Sequence, residues 1–589
     1  MSSPRHHIAR ALILAAVGLG GCVGEQHAST SGTGGGTVGA GAAGGGGAGG
    51  VASDNPLLPA RIRRLTNAEY AASVFALLGV DTAASVAGFP RDATQTLGFT
   101  VNDAQIVSSV LASQLDRSAQ ALIAAARQSG QFDFLAPCGD PIGDGETCAR
   151  SFVQSFGTRA YRRPLTGEDI EPLMALYRAG AAEGGTYDDG IDFVTRAILQ
   201  APSFIYLTEL GESGAGSPPG PTALTRYEIA SLLSYVATAG PPDKVLLDNV
   251  DALATADGRG QQLRRLLPSL EARTRWVRVV REWLGIDGID EIGKDSNVYP
   301  SFTSNHNAMA AESSSFIDEV LTNRAGTLQE LLGAEWTIID STKGATDDEI
   351  GAYYADFYGL RVDATALEDR VSLNGATGGT RVGILNQGAF LSRFATATAS
   401  HPVLRGVAVM RRLACLDLPD PVELDINVIP PVPDPNTPKT TRALYAAHAA
   451  DALCNSCHRT IDNFGFAFEQ YDGMGAFRGK EAVRGAGGIV MLPVDSKTTL
   501  AGTGTDLDGG YADSNALARA LSTSAVVREC MAHQIFRGAT GRNDASMRGA
   551  EDKFVRQWRQ LPADKQSSLI ETLVALVRSD AFVERSTAP

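Results

Sequence analysis

Three helix starts of one design constrain this chain more than anything else in it. Leu65-Thr66-Asn67-Ala68-Glu69, Leu165-Thr166-Gly167-Glu168-Asp169 and Leu224-Thr225-Arg226-Tyr227-Glu228 each set a threonine three residues ahead of an acid. A threonine there can accept from the first free N–H groups of a helix while the acid reaches back to the threonine N–H. Glu69 and Glu228 are long enough to close that box, and the shorter Asp169 is expected to do so less well. Each threonine follows a leucine, and Tyr70, Ile170 or Ile229 follows the acid, so an apolar staple is available every time. Apolar residues at 3.6-residue spacing predict further helices over Val101–Ala126, Ala149–Tyr161, Tyr187–Leu199, Leu263–Leu284, Asn307–Val320 and Ser568–Arg578. Strand signals are short and few, near Trp336–Ile339 and Ile489–Leu492. The fold class expected is mainly α, a multi-segment helical assembly with few short strands.

The residues Ala197 to Phe204 echo Ala575 to Phe582, which reads as a shared helix-end pattern in preference to a true repeat. Pro419 to Pro438 holds seven prolines in twenty residues and must run extended, because proline removes donors and fixes φ.

The N-terminal stretch is of another kind. Residues 1–21 read as a signal peptide, with Arg5 and Arg10 ahead of an apolar run from Ala11 to Gly21 that is too short to span a bilayer. Leu19-Gly20-Gly21-Cys22 is similar to a bacterial lipobox, which would make Cys22 the lipidated N-terminus of the mature chain. Residues 22–56 are rich in glycine, too poor in apolar side chains to offset the entropy of ordering, and read as a flexible tether. The chain as a whole carries 51 Lys and Arg against 66 Asp and Glu, a formal charge of −15, which argues against nucleic acid as a partner.

Cys454-Asn455-Ser456-Cys457-His458 carries the chemistry. Two thiols three positions apart can form thioethers to the two vinyl groups of one haem, and the next residue can turn its imidazole to the iron. The competing readings are a zinc site built on Cys454, Cys457 and either His448 or His458, and a redox-active dithiol. A second ligand pair at zinc spacing does not follow, and export favours haem c, which is attached outside the cytoplasm.

The continuation from Ile461 to Arg478, with Asp462, Gly465, Glu469, Tyr471, Asp472 and Gly473, resembles the cytochrome-c-like segment of a large family of exported planctomycete and myxobacterial proteins built from several domains of unknown function. Arg63-Arg64-Leu65-Thr66 with Glu69-Tyr70 is similar to that family's first domain, and Tyr161-Arg162-Arg163-Pro164-Leu165-Thr166 with Ser203-Phe204 to its second. Leu224-Thr225 through Tyr235 with Trp283-Leu284-Gly285 is similar to its third, Gly383 to Arg405-Gly406 leads into the haem segment, and Pro493-Val494-Asp495 through Cys530 and Gly541-Arg542 is similar to its last. Asn463 stands where the family usually has proline, and His401 where it usually has serine. The resemblance implies helical domains at 57–130, 138–212 and 220–365, a cytochrome-c-like domain at 380–482 enclosing the 419–438 segment, and a C-terminal helical domain at 489–587. It also implies an exported redox partner encoded nearby.

The sixth iron ligand stays open. Met491 is one candidate, since a methionine close to a proline suits an electron-transfer site, and Met474, His401, His448 and His533 are others. With Cys22 assigned to lipid and Cys454 and Cys457 to haem, Cys138, Cys148, Cys415 and Cys530 remain of the seven cysteines. An even remainder in an oxidising compartment suggests two disulfides. Of three pairings, local closure of Cys138 on Cys148, leaving Cys415 for Cys530, is the simplest. Asp506, Asp508 and Asp513 lack the spacing of a calcium loop and read as a solvated turn. The function expected is that of an exported, lipid-anchored c-type cytochrome-like protein. An envelope scaffold with structural haem or zinc, and an oxidative haem enzyme with an open distal face, are the alternatives.

Overall fold

A computed structural model describes residues 55–587 apart from 102–105, 183, 213–218, 363–369, 417, 419–430, 449–451 and 543–546. The signal, Cys22 and nearly all of the tether lie outside the described residues. The chain is mainly α, with two- and three-stranded sheets at the seams. Among the described residues no helix is long and apolar enough to cross a membrane.

Two apolar cores organise it. The first gathers α1 (Asn67–Leu78), α2 (Ser109–Gln128), α3 (Gly145–Tyr161), α4 (Gly167–Ala181) and α5 (Tyr187–Ile198), with Val74, Leu115, Phe152, Met174 and Val194 in one cluster. Residues 57–130 and 138–212 therefore share a core. The second takes in Leu58, Phe99 and the chain from Leu224 to Phe582 and draws on α6 (Arg226–Thr238), α7 (Leu270–Leu284), α8 (Phe302–Asn323), α9 (Pro402–Leu413), α11 (Ala452–Phe466), α12 (Ala525–Thr540) and α13 (Leu569–Arg578), while α10 (Thr441–His448) lies at its edge against α9 and α11.

The three threonine starts behave as capping boxes, and one corrects the expectation. Asp169 does reach the Thr166 N–H, at 2.8 Å, because Arg163 draws the carboxylate in with bonds of 2.7 and 3.0 Å. The helix expected over Leu263–Leu284 is two helices, Ala256–Leu266 and α7. Pro268 cannot supply an N–H to the first, and Ser269 caps the second through the Ala272 N–H.

The echo at 197–204 and 575–582 is a shared structural device. In each case a long helix breaks, a four-residue helix follows (Pro202–Ile205, Asp580–Val583), and a strand leaves it. The first such strand, β2 (Tyr206–Glu209), pairs antiparallel with β1 (Arg61–Arg64); the second, Glu584–Ser586, pairs antiparallel with Pro221–Ala223. The leucines ahead of the first and third threonine caps donate to the ends of the four-residue helices: Leu65 N–H to the Ile205 carbonyl, Leu224 N–H to that of Val583, both at 2.8 Å. Each core is thus closed by its own last strand on the strand ahead of its own first capped helix. Leu58–Pro59 joins the two closures by pairing in parallel with the C-terminal strand, Leu58 opposite Arg585.

Buried arginines hold the loops. A guanidinium has five donors and is tolerated inside only when they are used. Arg162 donates to the carbonyls of Ala160, Ser203, Phe204 and Tyr206, and Arg259 to those of Leu253, Ala254, Val577 and Arg578. Arg63 pairs bidentately with Glu69 at 2.6 and 2.7 Å. Burial alone would raise the Glu69 pKa, but the Arg63 charge and its hydrogen bonds outweigh it and hold it at about 2, from an ordinary 4.5. A carboxylate with a depressed pKa stabilises the fold fully above its unfolded value and loses that contribution as pH falls through the folded one. Acid unfolding is therefore expected to steepen between pH 4.5 and about 2, and a stability-against-pH curve for Glu69→Gln should be flatter over that window.

Candidate functional site

Cys454, Cys457 and His458 lie on α11 at spacings of three and four, which places them on one helical face. Both thiols are outside the disulfides and half-buried. His458 is partly buried, and its Nδ1 stands 2.9 Å from Oδ1 of Asp462, one turn on, whose residue is 3% exposed. The hydrogen bond to Asp462 raises the imidazole pKa above its usual range against the opposing effect of burial. That contact fixes the ring and directs Nε2 to the other side, as second-sphere carboxylates do for metal-ligating histidines.

The helix is held by close backbone approach. A Cβ built on Gly406 of α9 would overlap the carbonyl oxygen of Ile461, and one on Gly465 of α11 would overlap that of Pro402. Neither position has room for any other residue. Just upstream of Gly406, Arg405 is fully buried and donates to the carbonyls of Leu391, Phe468, Tyr471 and Asp472, locking the loop that follows α11. Burial lowers its pKa, to about 10. Arg381 does the same for Phe357, Asn386 and Gly475 and lies over the rings of Phe357, Tyr358 and Tyr471.

The second wall is α10 with the hairpin of β3 (Lys480–Gly485) and β4 (Gly488–Pro493). Glu481 accepts from the Thr441 N–H and hydroxyl, and Arg442 lies 4.5 Å over the Phe466 ring. Tyr445 packs on His401, ring centroids 5.1 Å apart.

The candidate distal ligands are dispersed. Met491 pairs opposite Ala482 on β4 and is 52% exposed, beside Ile489 at 68%. With a two-residue repeat, these two share the face opposite that of Glu481 and Val490. Met474 is buried, its sulfur 3.8 Å from the Ser301 hydroxyl. His401 Nδ1 accepts from the Leu404 N–H as the cap of α9, and burial pulls its pKa down to about 4. His533 on α12 is bound to Glu551 at 2.8 Å. The His448 side chain lies outside the described residues. Among those described, no group of three or more His, Cys, Asp or Glu has a metal-holding arrangement.

Cys138 bonds Cys148 and Cys415 bonds Cys530, with Cα separations of 5.6 and 5.3 Å. The second spans 115 residues and ties the end of α9 to α12, enclosing the Cys454–His458 segment in the loop it closes. In the chain-entropy account a loop of that size is worth about 4–5 kcal/mol. Asp508 caps its own loop, taking Gly502 and Thr503 as donors, while Asp506 accepts from Ser524 and Ala525 at the start of α12.

Sequence reasoning passed over Asp462 as a partner of His458, although a spacing of four on a helix was its signal. It quoted Arg405 and Gly406 only as motif residues; their roles depend on contacts with chain some sixty residues away, which periodicity does not reveal.

Four segments match family models of proteins of unknown function: residues 63–128 match PSD3 (DUF1587), 148–209 PSD5 (DUF1595), 224–346 PSD4 (DUF1592) and 381–481 PSCyt3 (DUF1588). The chain is thus an assembly of several domains of unknown function, and the last of these contains the Cys454–His458 motif. No curated protein and no solved structure matches.

Proposed function

We propose that the protein is an exported, lipid-anchored c-type cytochrome-like carrier. Cys454 and Cys457 would hold one haem covalently, His458 would be its proximal ligand, and Cys22 would carry the lipid. Haem bound there would supply one-electron redox chemistry. The observation that carries this reading is the pairing of a helix-borne imidazole with a buried carboxylate, on the same face as two thiols not engaged in disulfides. Asp462 keeps Nδ1 occupied and the ring fixed; α9 and Arg405 fix the helix that presents it. The name of the matched PSCyt3 model and the motif inside it support the same reading. The partner would be another exported redox protein.

A pyridine haemochrome assay on protein matured with c-type assembly machinery tests this: one haem per chain is expected, lost on Cys454→Ser with Cys457→Ser. Absence of covalent haem in the parent protein would end the redox reading. A carboxylate-bound imidazole is a stronger donor than one bound to a neutral acceptor and favours oxidised iron. In haem-loaded protein, Asp462→Asn is therefore expected to raise the midpoint potential measured by spectroelectrochemical titration, while Asp462→Glu stays closer to the parent. An unchanged potential in Asp462→Asn would remove Asp462 from that role.

A further inference from the structure

Where the two cores meet, positive charge outnumbers negative. The guanidinium groups of Arg61, Arg542 and Arg585 surround the Glu209 carboxylate, Arg63 is paired with Glu69, and Arg278 with Glu282. Arg275, one turn from Arg278 on α7, has no carboxylate within ion-pair distance among the described residues. Its hydrogen bond is to the Gly538 carbonyl at 3.1 Å, and its Nε is buried without a partner. The residue as a whole is partly exposed, but its Nε is shielded from water, and a charged donor so placed is costly to leave without a counter-ion or solvent.

A cavity of about 20 Å³ lies beside it, lined by Arg63, Arg275, Arg278, Thr66, Thr100 and the single acid Glu69. Roughly 10–15 Å³ is enough for one water. Both oxygens of Glu69 are engaged, by Arg63 and the Thr66 N–H. Arg63 also has its Nε buried without a partner. Donors without acceptors, a surplus of positive charge and room for one small sphere coincide.

We infer that this cavity is a binding site for a small monovalent anion of halide size, held between Arg63, Arg275 and Arg278. The ion would supply the counter-charge Arg275 lacks. Because Arg63 belongs to the first core's seam and Arg275 to the second core, it would also join the two bodies. The site is independent of haem, so the inference stands or falls apart from the redox reading.

The test uses the full chain. Thermal unfolding is followed while chloride replaces gluconate at constant ionic strength, and crystals grown in sodium bromide are measured at the bromine edge. A saturable upward shift in Tm of a few degrees is expected, as linkage requires of a ligand that binds only the folded state, together with an anomalous peak between Arg63 and Arg275. Arg275→Met should abolish the saturable shift and the peak, and be less affected by chloride at every concentration. A parent protein with no chloride-specific shift and no bromine peak, or an Arg275→Met variant that keeps both, would overturn the proposal. If Arg275→Met fails to fold, the bromine peak in the parent decides alone.

Discussion

Gly465→Ala is expected to cost more than about 3 kcal/mol and to expose α11, because the added carbon has nowhere to go except into the Pro402 backbone. A flexible side chain could swing aside, but a carbonyl on the first turn of α9 cannot move without that helix. Arg405, three residues from Pro402, is itself tied to three carbonyls of the loop after α11 and to that of Leu391. The two helices must therefore separate, taking Cys454, Cys457 and His458 from their places. Gly406→Ala meets the Ile461 carbonyl and should behave alike. Gly479→Ala is the control: nothing lies within 4 Å of its Cβ, and its unfolding free energy from urea titration should stay within about 0.5 kcal/mol of the parent. Comparable losses in all three would show that the close crossing is not what matters.

Glu209→Gln is expected to destabilise by about 3–5 kcal/mol. This residue is 2% exposed and accepts from Arg61 at 2.8 Å, Arg542 at 2.6 Å and Arg585 at 2.7 Å. Burial opposes its ionised form, but the three guanidinium charges outweigh that and hold its pKa well below the usual range. The amide would remove the one negative charge they share and turn a donor toward them. Arg542, whose charge is already disfavoured by its burial and by Arg61, would lose the carboxylate it is paired with. The measurement is urea unfolding at neutral pH. A change below about 1 kcal/mol would mean that solvent, and not Glu209, compensates these arginines.

What could be read from the chain alone was local. The threonine boxes, the cysteine parity and the Cys454–His458 motif each depend on residues within a few positions, or on a count. The interior arginines depend on groups far off in sequence: Arg259 on the Val577 carbonyl, Arg381 on the Gly475 carbonyl, Arg542 on the Glu209 carboxylate. Nothing in a 3.6-residue period distinguishes such an arginine from one facing water. Leu263–Leu284 was misread because its apolar spacing continues across Pro268, where the hydrogen-bond ladder does not. The 197–204 and 575–582 echo is legible as a shared helix end, but its role in closing each core lies in the strands that follow, Tyr206–Glu209 and Glu584–Ser586, whose sequences differ.

Those closures have a mechanical consequence. A pull on the N-terminal end of the chain enters the folded part through Leu58–Pro59 and then Arg61–Arg64. The first pair lies parallel to the C-terminal strand, with Leu58 opposite Arg585, so the load falls there before it reaches the antiparallel Arg61–Glu209 pair. Arg585 and Arg61 both grip Glu209, which makes one side chain the bolt between the two strand pairs. Under tension from a surface, the first part to yield would be this seam, while α11 and its close contact with α9 stay unloaded behind it.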